Sequence, residues 1–261
     1  MECFILIIII ILFIIHCYKY LNPDYELEVY NLHEFDLVRF NELNLLNAPI
    51  LTHPNIIFNS LLISNYLNYK IHVLQNEKTK YIKLKNYIDG EISNKSLIMS
   101  NNHFLDETLL KHKLIKYISS IEKSNLFEPS LNIFFMGNNN YSKLSYDVKN
   151  NIYLHVIEGN ISVKLILPNI SNLIAEYYNY EHDVYISDYN AWDKDEVECV
   201  TLNMKKNDLL KIPRFWWYTI KGEDKNEMVG IYKTNTLLSN LITFMYKHEY
   251  SSFSLEEYII N

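Results

Sequence analysis

"NDLLKIPRFWWYTIKGE", residues 207–223, places two β-type runs almost end to end. "DLLKIP" (208–213) and "WWYTIK" (216–221) are short, apolar and separated only by Arg214 and Phe215. Strands so short and so closely spaced belong to an all-β architecture rather than to strands alternating with long helices.

The same texture extends upstream to Pro129. "LNIFFMG" (131–137), "NIYLHVIEG" (151–159), "ISVKLILP" (161–168) and "VECVTL" (197–202) precede the quoted stretch, and "MVGIYKT" (228–234) follows it. The region before Pro129 reads differently. "NLLNAPILT" (44–52) is extended, "IIFNSLLISNYL" (56–67) has helical spacing, and "YKIHVLQ" (69–75) and "KYIKLKN" (80–86) alternate like strands. "LDETLLKHKLIKYISSIEKS" (105–124) predicts a helix that carries Leu110, Leu114, Ile118 and Ile121 on one face, capped by Asp106. The tail, 237–250 and then "SLEEYII" (254–260), returns to helical spacing. The expected fold is mostly β, a jelly roll with flanking α-helices at both ends.

With 261 residues the chain holds one sizeable core. Twenty-two tyrosines and 12 phenylalanines reinforce the β-leaning composition, while 5 glycines and 6 prolines argue against linkers and low-complexity disorder. A formal charge of −7 without a basic cluster excludes a nucleic-acid partner, which calls for a positive stripe against phosphates. Cys3, Cys17 and Cys199 have no metal-type spacing and imply no disulfide framework.

Residues 3–18, "CFILIIIIILFIIHCY", are almost wholly apolar. Glu2 precedes them where a signal peptide carries a basic region, and "HCYKYLNP" follows where small residues would mark cleavage. The reading is an uncleaved, single-pass N-terminal membrane anchor at 1–19, a tether at 20–34, the β domain at 35–235 and a helical tail at 236–261.

From about residue 40 to 235 the chain resembles the cupin-like, JmjC-type 2-oxoglutarate oxygenases, nearest the branch of the asparaginyl hydroxylase that acts on hypoxia-inducible factor. "NDLLKIPRFWWYTIKG" resembles the family's "G-D-x-L-x-I-P-x-x-W-W-H-x-V". "NAPIL", "YIKLKNYIDG" and "LNIFFMGNNNYSKLSYDVKNNIYLHVIEGNISVKLILPN" follow looser family segments in the right order. The resemblance implies a double-stranded β-helix and a site for Fe(II) and 2-oxoglutarate.

That chemistry needs two histidines and a carboxylate on one face, with open positions for cosubstrate and oxygen. By resemblance the triad falls on Ser145, Asp147 and Tyr218, so only the carboxylate survives. A serine hydroxyl is a poor neutral donor, and a phenol with a pKa of about 10 must first lose its proton. The cosubstrate positions fall on Ser142, Asn151 and Ile161, the last standing where the family's lysine pairs with the 2-oxoglutarate carboxylate; Lys164 lies three residues beyond. An apolar side chain there leaves a buried dicarboxylate without a countercharge.

Asp147 is accordingly read as a hydrogen-bonded carboxylate. Tyr218 is expected to fill the former iron cavity, its hydroxyl bonding Asp147 or Ser145. An alternative metal set draws on His155 and His182 beside Asp147. No P-loop, G-x-S-x-G, H-E-x-x-H or G-x-G-x-x-G occurs. Two functions are in competition: a catalytically inactive binding module without a cofactor, and an Fe(II)/2-oxoglutarate hydroxylase or demethylase with a rewired site. A small-ligand cupin is a third. For the binding module the partner surfaces are loop 176–198, acidic and tyrosine-rich, and helix 237–250, whose apolar stripe suits a homodimer.

Overall fold

The computed structural model describes residues 11, 15, 26–54, 65–75, 78–89, 101–108, 110–121, 130–137, 139–148, 151–168, 176–179, 184–194, 196–223, 227–234 and 259–260. The chain is mostly β, in several sheets whose pairings are antiparallel with one parallel exception. The leader 3–18 lies outside the described residues apart from Ile11 and Ile15, and the tail 235–258 lies outside them entirely. Among the described residues no helix is long and apolar enough to cross a membrane.

The first sheet contains β1 (Tyr30–Leu32), β2 (Ile50–Thr52), β5 (Ser130–Met136), β8 (Asn151–Glu158), β13 (Leu209–Pro213) and β15 (Glu227–Lys233), in the order β1-β2-β13-β8-β15-β5. The second is built around β14 (Trp217–Gly222). This strand pairs with β7 (Leu144–Tyr146), β6 (Tyr141–Ser142) and β9 (Asn160–Ile166). β12 (Cys199–Lys205) extends the sheet beside β9, while β11 (Val184–Ser187) and β10 (Tyr177–Asn179) extend it beside β7. A separate hairpin joins β3 (Lys70–Gln75) to β4 (Lys78–Lys83).

The chain moves between the two large sheets through tight turns. Gly159, at φ 82°, ends β8 and starts β9 in the other sheet, a backbone conformation that glycine adopts without steric cost. Between β12 and β13 Asn207 takes φ 72°, and the Asp208 carboxylate accepts the Lys205 N–H at 2.8 Å. Asp208 of the quoted stretch is therefore a turn residue.

One core is shared by both sheets. Ile152, Leu154, Val156, Leu210, Ile212, Val229 and Ile231 of the first meet Ile161, Val163, Leu165, Trp216, Tyr218 and Ile220 of the second. A second core covers the outer face of the first sheet. There Tyr153, Ile157, Leu209, Met228 and Tyr232 pack against helices α3 (Asn102–Glu107) and α4 (Leu110–Ile121). Two further helices, α1 (Leu37–Asn44) and α2 (Leu84–Ile88), contribute Phe40, Leu84 and Tyr87 to it. With both faces covered, the first sheet's strands have little need of polar residues, which is why "NIYLHVIE" and "EMVGIYK" read as continuous apolar runs.

Several expectations are corrected. Of the helix expected over 105–124, the described residues fall in two helices, α3 up to Glu107 and α4 from Leu110 to Ile121, and Asp106 lies inside α3 with its carboxylate 3.5 Å from Lys111 instead of capping. The expected apolar face is buried, joined by Ile115 and Tyr117. Loop 176–198 is partly sheet, because β10 and β11 pair with each other and then with β7, burying Val184, Tyr185 and Ile186. At the chain end Ile259–Ile260 form β16, a strand on β6, where helical spacing was expected.

Gly222 ends β14 at a point where the chain has no room for a side chain. A Cβ there would lie 2.5 Å from the Gly137 carbonyl oxygen and 3.0 Å from the Glu227 carboxylate. Gly222→Ala is expected to destabilise by about 1–3 kcal/mol, read as a lower midpoint in urea, because a backbone carbonyl cannot move aside cheaply.

Candidate functional site: an inward-facing polar cluster

The quoted stretch supplies the site's first element. β13 ends at Pro213, Phe215 turns at φ 65°, and β14 begins at Trp217. The Phe215 N–H donates to the Asp147 carbonyl at 2.9 Å, which holds this turn against the end of β7. Strand alternation then sends Trp216, Tyr218 and Ile220 into the inter-sheet core and Trp217 to the opposite face, where it meets Tyr146 edge-on at 4.5 Å.

β7 supplies the second element. Ser145 is the direct cross-strand partner of Tyr218, so both face the inter-sheet space. Asp147 follows Ser145 by two residues and is 1% exposed; Ser145 and Tyr218 are both at 0%. Of the three positions that the resemblance assigns to the metal triad, Ser145 and Tyr218 are paired on neighbouring strands, and Asp147 lies just past the end of β7 with the parity of Ser145.

A fourth residue completes the cluster, and sequence reading missed it. Lys233, at the end of β15, places its ammonium 2.9 Å from the Asp147 carboxylate, with both side chains almost fully buried. Its inward direction follows from parity: Val229 and Ile231 face the inter-sheet core, so Lys233 does too. A signal was present in "MVGIYKT", where a lysine stands at an inward parity position of an apolar strand.

The cosubstrate positions scatter. Ile161 is buried in the inter-sheet core. Lys164 lies on the other face of β9, donating to the Ala191 carbonyl at 2.7 Å with its ammonium 5.1 Å from the Trp192 ring centroid. Ser142 stitches β6 to β14, its hydroxyl accepting the Ile220 N–H at 3.0 Å. Asn151 is tied to Thr234, whose N–H donates to the Asn151 carbonyl at 3.1 Å and whose hydroxyl accepts the Asn151 N–H at 3.4 Å.

The alternative metal set is not assembled among the described residues. His182 lies outside them. His155 has odd parity on β8, with Tyr153 and Ile157, and so faces the helices. Its ring packs 5.6 Å from Tyr117, and its Nδ1 lies 3.4 Å from the Tyr232 hydroxyl. His155 thus points away from the inter-sheet space. Full burial pushes the imidazole down to about 4, which keeps it neutral. Among the described residues, no group of three or more His, Cys, Asp or Glu is placed to hold a metal.

These residues do not fit a ferrous ion. Two hydroxyls and one carboxylate already engaged by an ammonium offer no nitrogen donor and no uncompensated charge. Among the described residues, Trp216, Tyr218 and branched aliphatics pack in the inter-sheet interior. A cavity of about 550 Å³ lies elsewhere, lined by Asn68, Tyr69, Lys70, Tyr81, His103 and Glu107.

No model of a known protein family matches the chain, and no curated protein does.

Two outcomes follow from this geometry. Removing one member of the Asp147–Lys233 pair strands a buried charge, so Asp147→Asn or Lys233→Met alone is expected to cost about 3–5 kcal/mol. The double variant should lose less than the sum of the two, measured by a denaturation cycle. The neutral His155 ring also makes stability pH-dependent. Its folded pKa lies below the ordinary 6.5, so the contribution is whole above that value and is lost as pH falls towards about 4. Between about pH 7 and pH 5 unfolding should become easier by about 2 kcal/mol, and His155→Phe should flatten that slope.

Proposed function

We propose that this chain is a membrane-tethered, JmjC-like jelly-roll protein that has relinquished iron-dependent oxygenation and works as a binding module. The observation that carries the reading is the chemistry of the inward cluster: Ser145, Asp147 and Tyr218 at the three triad positions, with an ammonium in place of imidazoles. Two further features support the fold assignment. Both large sheets contribute to one inter-sheet core, and the turn at Gly159 carries the chain from one sheet to the other, as a double-stranded β-helix requires. Fold alone licenses no activity, so the argument rests on the cluster.

Tethering is proposed from the apolar leader 3–18. The partner is a protein, and its docking surface is the part of 176–198 left outside the strands, where Tyr189, Asn190 and Trp192 lie beside charged Asp193 and Lys194. Homodimerisation through 237–250 belongs to the same proposal and concerns residues outside the described set.

The full chain is expected in the membrane fraction of cells, and the purified protein is expected to give no saturable response to Fe(II) with 2-oxoglutarate by calorimetry and no succinate. Stoichiometric iron with tight 2-oxoglutarate binding, or succinate release, would restore the oxygenase reading. Recovery of the full chain in the soluble fraction would remove the anchor.

A further inference from the structure

We infer that Lys233 is the resident cation of this site: its ammonium takes the place of a divalent metal beside Asp147, so the missing histidines are only half of what closes the site to metal. The inference rests on reading Ser145, Asp147 and Tyr218 as former ligand positions.

The argument starts from charge. A carboxylate at 1% exposure is costly to keep ionised unless a cation accompanies it. In a two-histidine, one-carboxylate site the metal is that cation, since both imidazoles are neutral. Here the histidines are replaced by hydroxyl-bearing side chains, and the carboxylate would be stranded if nothing else changed. Lys233 supplies the compensation from a different strand of the opposite sheet, at 2.9 Å. The pair itself sums to zero charge, so the Asp147 carboxylate is compensated by a protein cation.

Geometry makes the replacement exclusive. Lys233 reaches inward from β15, while Ser145 and Tyr218 face inward from β7 and β14, so the ammonium enters the same inter-sheet end that a metal would occupy. A divalent ion there would sit within a few ångströms of a buried positive charge. At that separation the repulsion amounts to several kcal/mol even with substantial screening. Restoring both imidazoles therefore leaves the site blocked, and the lysine must be removed as well.

The test compares full-length wild type, Ser145→His/Tyr218→His, and the same double variant carrying Lys233→Ala, with Ni(II) as the probe in calorimetry and folding followed by circular dichroism. The expected result is no saturable binding for wild type, little gain for the double variant, and binding tighter by on the order of 100-fold in the triple variant. If the double variant binds as tightly as the triple, Lys233 is not the block; the inference is overturned while the pseudo-oxygenase reading stands. If both variants fold and neither binds, the three positions are not ligand positions, and that reading falls together with the inference.

A second measurement covers the case in which the triple variant does not fold. Lys233→Ala alone leaves a cation-sized space against Asp147, so millimolar n-propylammonium should raise its melting temperature while tetramethylammonium, too broad for the space, should not. An equal response of wild type and variant, or none in either, overturns the inference.

Discussion

Strand parity is the constraint on which the rest of this structure depends. The first sheet is covered on both faces, by the second sheet on one side and by α3 and α4 on the other. The buried residues of β8, β13 and β15 are therefore assigned to one of two dry environments by odd or even position. On β8 that rule sends Ile152, Leu154 and Val156 between the sheets and Tyr153, His155 and Ile157 towards the helices. The same rule turns Lys164 outward and Ile161 inward on β9, and brings Ser145, Tyr218 and Lys233 to the inter-sheet end where Asp147 lies. A slip of one residue in any of these strands would dissolve the cluster.

The electrostatics follow from that placement. Asp147 is buried because the turn before β14 closes over it, the Phe215 N–H donating to its carbonyl. Lys233 is buried on β15, an interior strand of the first sheet between β8 and β5. Neither charge is tolerable there alone, and each makes the other tolerable. Such a pair contributes little net stability compared with apolar packing of equal volume, but breaking it is expensive. A buried ion pair of this kind constrains which substitutions the site can accept.

His155 illustrates how the same residue type can mean opposite things. In the sequence it is a candidate ligand beside Asp147, at an odd position of β8. In the fold that parity points to the helix-facing layer, where Tyr117 and Tyr232 surround the ring and burial holds it neutral. The loop 176–198 is similar. Its tyrosines suggested an exposed contact surface, yet Tyr185 is fully buried, stacked on Tyr146 at 4.8 Å.

By itself the sequence determined the mostly β class, the position of nearly every long strand, and the face of α4 that is buried, because period and β-type composition are local properties of a chain. It also showed that Ser145, Asp147 and Tyr218 include no imidazole, since residue identity needs no coordinates. Only the tertiary structure decided which face of each strand is the inner one, that the described residues of 105–124 fall in two helices, and that β10 and β11 join the second sheet. The same holds for Lys233. Its partner lies 86 residues earlier in the chain (233 minus 147), on a segment packed against the opposite sheet. No local pattern connects two residues so far apart, and the low-dielectric space that makes their charges interdependent exists only once both sheets have closed around it.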